Sequence, residues 1–156
     1  MKRLIDLNNR ILDRMRDRRA FEIAEREGVS GDFDGFDGAR QCLLVTFKRS
    51  GEPVPTPVNF GLSSGRLYFR SESDSAKLKR IRRDPHVRIC PCNMRGRPTG
   101  PVFEGAARVL DGDEAERADA ALEGNWTATM KAMERGMDRL PVEIAYVEVS
   151  PRQGGA

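Results

Sequence analysis

Histidine and cysteine are scarce in this sequence, and each scarcity removes a class of chemistry. His86 is the only histidine, so an imidazole-built metal centre and a Ser-His-Asp triad both lack material. Placed just after Pro85 at the start of a strand, it reads as a surface or capping residue. The three cysteines, Cys42, Cys90 and Cys92, are too few for a disulfide framework, and their odd number fits a reducing compartment. Cys90-Pro91-Cys92 has one residue between its thiols, not the two of common zinc or redox motifs. On a strand that spacing puts both sulfurs on one face, as small core hydrophobes. No run approaches the roughly 18 apolar residues that cross a bilayer. Met1-Lys2-Arg3-Leu4-Ile5-Asp6 meets charge where a secretory signal would be apolar. No GxGxxG follows a strand, and no Walker loop is present. The expectation is a cytoplasmic protein without a membrane span or a metal site, whose chemistry is carried by a bound cofactor.

What is there suits one domain. The chain has 156 residues, of which 38% are apolar and 33% charged, enough for one core and hardly for two. So charge-rich a chain of this size often buries more apolar area in an oligomer. The net charge of +3 hides an asymmetry: Lys77, Lys79, Arg80, Arg82, Arg83, Arg88, Arg95 and Arg97 face only Asp84 within that stretch. A local positive patch on a nearly neutral protein suits a small anionic ligand. Without interleaved aromatics for base stacking, it does not suit nucleic acid.

Apolar spacing predicts a helix over about residues 4–27, ended by Gly28. The linker Gly31–Gly38 is rich in aspartate, but counted from Asp32 its fifth and twelfth positions are Phe36 and Leu43. A calcium loop would need oxygen ligands there. Cys42–Phe47 is a continuous apolar run, as in a strand buried on both faces. Pro53, Pro55 and Pro57 mark the segment from Val54 to Leu62 as an edge or bulged strand. Ser63-Ser64-Gly65 is a hairpin turn into Arg66–Arg70. A short helix from about Ser75 to Arg83 stops at Asp84-Pro85. Strands over His86–Cys92 and Val102–Leu110, helices over Glu114–Leu122 and Trp126–Arg139, and a last strand over Val142–Val149 complete the chain. Tight turns between neighbouring strands imply antiparallel pairing in a barrel or sandwich. The organisation expected is an N-terminal helix and linker over 1–39, a β-rich domain over 40–151, and a disordered tail over 152–156.

One segment offers a cradle. Ser71-Glu72-Ser73-Asp74-Ser75-Ala76-Lys77 leaves a strand and opens a helix. Unpaired N–H groups at such a helix start attract phosphate, Ser71 and Ser75 can donate to it, and Lys77 adds full charge. The same residues also serve as an ordinary N-cap beside a solvated basic face. Physics alone leaves both readings open.

These residues resemble a known family. Gly51-Glu52-Pro53 followed by Thr56-Pro57-Val58-Asn59-Phe60 resembles the second-strand signature of the pyridoxamine 5′-phosphate oxidase-like split barrels. Gly65–Phe69, then Ser71, Asp74-Ser75, Lys77, Lys79-Arg80-Ile81 and Asp84-Pro85, is similar to that family's phosphate-binding turn and helix. Gly100–Val109 matches its next strand, and Arg95–Pro101 is in the style of the branch described as F420-dependent enzymes. The likeness covers about residues 40–110 and the last strand.

The resemblance implies a mainly β, α+β fold: an antiparallel split β-barrel of FMN-binding type with flanking helices. It implies a homodimer with two cofactor sites at the subunit interface. The ring of coenzyme F420, or alternatively FMN, would lie along Thr56, Pro57, Val58 and Asn59, with its phosphate at Ser71, Ser75 and Lys77. Pro55 and Phe60 stand where FMN-oxidase relatives carry Arg and Lys, a departure that favours F420. Arg95 and Arg97 would meet that coenzyme's acidic tail, since guanidinium groups pair well with carboxylates, or else are exposed loop residues. Trp126, Met130, Met133 and Met137 recur at helical spacing as a core or dimer stripe, or as a substrate wall. The implied activity is hydride transfer from reduced F420 to a small conjugated substrate. An FMN-dependent reaction and a non-catalytic flavin, F420 or haem carrier are the alternatives.

Overall fold

A computed structural model describes residues 18–33, 35–36 and 38–152. The greater part of the predicted N-terminal helix, the aspartates Asp34 and Asp37, and the tail beyond Arg152 lie outside the described residues. The elements run α1 (Arg18–Ala24), β1 (Gln41–Phe47), β2 (Pro53–Asn59), β3 (Gly61–Ser63), β4 (Arg66–Glu72), α2 (Ala76–Arg83), β5 (His86–Cys92), β6 (Phe103–Leu110), α3 (Gly112–Asn125), α4 (Ala128–Asp138) and β7 (Ile144–Pro151).

The strands form one antiparallel sheet in the order β2-β1-β5-β6-β7-β4-β3. This is the mainly β, α+β architecture of an unclosed split barrel. β1 is buried on both faces, as its unbroken apolar run requires. Cys42 and Leu44 enter the main core with Phe69, Val87, Ile89 and Val147. Leu43 turns the other way, into a second cluster with Ala20 and Ile23 of α1 and with Cys90 and Cys92. Both thiols of the Cys-Pro-Cys segment thus share one apolar face. Burial pushes Cys90 up to about 11 and Cys92 up to about 12, which leaves them inert core residues.

The extended segment expected from Val54 to Leu62 is two strands. β2 forms one edge of the sheet on β1, whereas β3 forms the opposite edge on β4. Only Phe60 separates them, so the two edges meet at a single residue and the sheet must curl. Phe60 is buried in the main core, and the Asn125 side chain donates to its carbonyl at 2.8 Å. Gly61 then passes beneath α3 so closely that a Cβ there would lie 2.2 Å from the Ala121 carbonyl oxygen. No larger residue fits. The Ser63-Ser64-Gly65 hairpin has positive φ at Ser64 (52°) and Gly65 (76°), the backbone of a tight twisted turn.

The segment before β1 is bound to the sheet. Phe33 and Phe36 pack with Phe60 and Phe103 at ring separations of 5.5–6.0 Å. Val29 bridges Phe103 in parallel, and the Gly28 N–H donates to Glu104 Oε1 at 3.0 Å. Glu104, 9% exposed, also accepts from Arg88 Nε at 2.9 Å and meets His86 Nε2 at 2.5 Å. His86 is therefore more than a capping residue: its ring stacks on Phe47 at 4.7 Å, and Arg88 covers the same phenyl ring. Among the described residues no helix is long and apolar enough to cross a membrane.

Burial works to raise the Glu104 carboxyl, but bonds from His86, Gly28 and Arg88 outweigh it and hold it below the usual carboxylate range. A carboxyl depressed in the folded state stabilises above its unfolded value of about 4.3 and loses that stabilisation as pH falls through the folded value. Glu104→Gln should therefore cost about 1–3 kcal/mol at neutral pH. In urea titrations the gap between variant and parent should close below about pH 4. A gap that stays constant with pH would show that the charge is not what matters.

Candidate functional site

β2 carries prolines at alternate positions, and its pairing decides where their backbone points. Lys48 N donates to Glu52 O at 2.9 Å, at the turn of the β1–β2 hairpin. Along the same register, Thr46 pairs with Val54, Leu44 with Thr56 and Cys42 with Val58. Even-numbered residues of β2 thus direct their N–H and C=O toward β1. Pro53, Pro55 and Pro57 direct theirs outward. Having no N–H, they give this free edge three carbonyl acceptors and no donor until Asn59.

The predicted strand residues divide accordingly. Thr56 is half-buried and lies on the barrel side opposite Leu44. Val58 is committed inward, its side chain in the main core and its backbone toward β1. Pro57 faces outward against the loop after β5, where a Cβ on Gly96 would meet its ring at 3.3 Å. That loop holds Arg95 and Arg97, both exposed. It is shaped by Asn93, whose side-chain oxygen accepts from the N–H of both arginines at 3.0 Å.

The serine segment forms the N-cap of α2. Ser75 is the N-cap of α2, accepting from Leu78 N at 3.4 Å, and its hydroxyl lies 3.1 Å from that of Ser71. Lys77 is half-buried in the first turn. Much of the basic stretch is engaged within the protein. Arg80 Nε donates to the buried Thr46 hydroxyl at 2.7 Å, Arg82 to Ser73, Arg83 to the Phe47 carbonyl, and Arg88 to Glu104. β2 and β4 approach each other without pairing; the acceptor edge lies on the first and the serine segment at the end of the second.

Sequence reasoning passed over Arg70. Its side chain is only 7% exposed, and it bonds Glu134 at 2.8 Å and Asp138 at 2.9 Å, both on α4. Burial opposes the Arg70 charge, yet Tyr146 and Glu134 outweigh it and keep the guanidinium firmly protonated. Glu134 also accepts from Asn59 Nδ2 at 3.2 Å, so one carboxylate spans the opening between β2 and β4. Arg70 lies over the Trp126 ring at 5.6 Å. Arg70 shares the outer face of β4 with Arg66, Tyr68 and Glu72, and its acidic partners lie 64 and 68 residues further on.

Trp126 and Met130 pack with Leu122 and Tyr146, as a small core. Met133 is 71% exposed, and the Met137 side chain lies outside the described residues. Trp126, expected to open a helix, instead ends α3. Two buried polar atoms beside this network have no partner among the described residues: Gln41 Oε1, on the amide that donates to Asn59, and Trp126 Nε1. An orphaned acceptor and an orphaned donor, an acceptor edge and a hydroxyl cradle together fit a ligand with a polar planar ring and an anionic tail. A cleft of about 630 Å³ lies between Phe36, Phe60, Leu62, Arg117 and Asn125.

The sequence model described as pyridoxamine 5′-phosphate oxidase matches residues 33–152. No curated protein matches the chain. Among solved structures, the conserved hypothetical protein Rv2991 of Mycobacterium tuberculosis is 21% identical, with a TM-score of 0.56 over 82% of this chain and 87% of that one. HutZ, described as the heme storage protein of Vibrio cholerae, is 14% identical, with a TM-score of 0.58 over 75% and 84%. A heme binding protein of Mycobacterium smegmatis is 18% identical, with a TM-score of 0.52 over 75% and 51%. At these identities the likeness is one of fold.

Arg70 ties Glu134 and Asp138 of α4 to the sheet, and Met130 is the buried apolar residue among those described on that helix. Arg70→Met should leave the sheet amides protected while those of α4 exchange on the order of tenfold faster, equivalent to about 1.4 kcal/mol. Unchanged exchange in α4 would mean that something else fastens it.

Proposed function

The chain belongs to the pyridoxamine 5′-phosphate oxidase family, and from that premise we propose that it is an oxidoreductase using reduced coenzyme F420 to reduce a small conjugated organic substrate. The observation that carries this reading is the pairing of a donor-free strand edge with a hydroxyl-lined helix start across one opening. When bound, the deazaflavin ring supplies the hydride chemistry. The chain's own residues hold it: the outward backbone of Pro55, Pro57 and Asn59 meets the ring's polar edge, and Thr56 lies beside its face. Ser71, Ser75, Lys77 and the first-turn N–H groups of α2 take the phosphate. Arg97, next to Pro57 through Gly96, faces the acidic tail. Val58 supports the strand from within the core. Among the described residues, the carboxylate bonded to β2 is Glu134, which is held by Asn59 and Arg70, and water completes the proton transfer.

The opening lies at the surface of one chain, and a second copy would close it. The exposed Met94 and Met133 supply apolar surface for such a homodimer. FMN is the second reading, favoured by the same phosphate cradle, which does not distinguish the two coenzymes. A haem carrier is the third. Its usual axial ligand would have to be His86, already engaged by Glu104 and Phe47.

Titration of the purified protein with F420, FMN and haem side by side should give the tightest binding for F420. Incubation with reduced F420 and a panel of enones and quinones should then give turnover. Preferred FMN binding would move the assignment to a flavoprotein, and binding without substrate consumption would make the protein a carrier. Lys77→Ala should weaken coenzyme binding by about 1.5–3 kcal/mol. Equal affinities would remove Lys77 from the site.

A further inference from the structure

The alternating prolines of β2 do more than mark an edge. Pro53, Pro55 and Pro57 all turn their backbone away from β1. A side chain can rotate to present a donor or an acceptor, but a proline backbone cannot: this stretch of edge accepts and never donates. A ligand beside it must supply N–H or O–H groups or leave lone pairs facing lone pairs.

Flavin-type rings change in this respect with oxidation state. The oxidised ring has one N–H on its pyrimidine edge, flanked by lone pairs on carbonyl oxygens and ring nitrogens. Reduction adds two electrons and two protons, as a hydride and a proton, and turns acceptor nitrogen into N–H: N1 in a deazaflavin, N5 and N1 in a fully protonated flavin. We propose that the proline edge of β2 makes this site selective for the reduced coenzyme, binding the dihydro ring in preference to the oxidised one. This rests on the placement of the ring along β2 proposed above. A site so biased captures the electron-carrying form and releases the spent one, which suits a reductase that takes reduced coenzyme from solution.

A simpler role for the prolines is to stop another strand from pairing with the edge, and the two roles predict different results. Dissociation constants are measured anaerobically by equilibrium dialysis for oxidised and dithionite-reduced F420, and likewise for FMN, with the full-length protein, Pro55→Ala and Pro57→Ala. The parent should bind the reduced form at least about tenfold more tightly. For FMN that ratio equals an upward shift of about 30 mV in midpoint potential. Each alanine restores one outward N–H and should lower the reduced-to-oxidised ratio about threefold or more, whatever it does to overall affinity. Because the readout is a ratio within each protein, partial loss of fold does not mimic it. A parent that binds both forms equally, or ratios unchanged in both variants, would overturn the selectivity while leaving the ring's placement standing. Failure of both coenzymes to bind in any form would overturn that placement, and the selectivity with it.

Discussion

The passage of the chain through Phe60 and Gly61 is the constraint on which the rest of the structure depends. β2 and β3 lie at opposite ends of a seven-stranded sheet yet are separated by one residue. The sheet must therefore bend until its edges meet, and Phe60 seals the junction from inside. Gly61 permits it, because the backbone there runs within van der Waals reach of α3. The curling brings β2 opposite β4 without hydrogen bonds between them. The candidate site is that unpaired interval. An ordinary flat sheet with the same strands would keep the Pro-rich edge and the serine cradle apart.

Two carboxylates then fasten the periphery to this frame. Glu104 gathers Gly28, His86 and Arg88, joining the N-terminal segment to β5 and β6. Glu134 gathers Asn59 and Arg70, joining α4 to β2 and β4. Each is a largely buried charge with several donors, and such groups are costly when unpaired. They set geometry more than they add stability. The Glu134 hub places α4 across the mouth of the opening, so whatever enters beside Asn59 lies next to this helix.

Much of this was legible in the residues themselves. The unbroken apolar run of β1 required burial on both faces, and it has it. Alternate prolines required an edge strand, and β2 is one. The Ser-Ser-Gly turn, the short helix capped at Ser75 and ended at Asp84, and the shared face of Cys90 and Cys92 all follow from local rules: φ preferences, capping and the two-residue period of a strand. The family likeness over the second strand and the serine-rich turn likewise lies in contiguous motifs, and the match over residues 33–152 agrees with it.

What the sequence could not determine are relations between residues far apart in the chain. A single extended segment from Val54 to Leu62 obeys every local rule; the break at Phe60 arises because Gly61 must pass under Ala121, a partner 60 residues away. His86 looked like a surface residue because neither Phe47 nor Glu104 is near it in the chain. Nothing local marks Arg70, because Glu134 and Asp138 come from a helix whose own pattern suggests only an apolar stripe. The local backbone chose strands, turns and caps, where the energies depend on neighbouring dihedrals. Tertiary packing alone decided which charges were buried, because the cost of desolvating an ion can be met only by partners that the fold delivers.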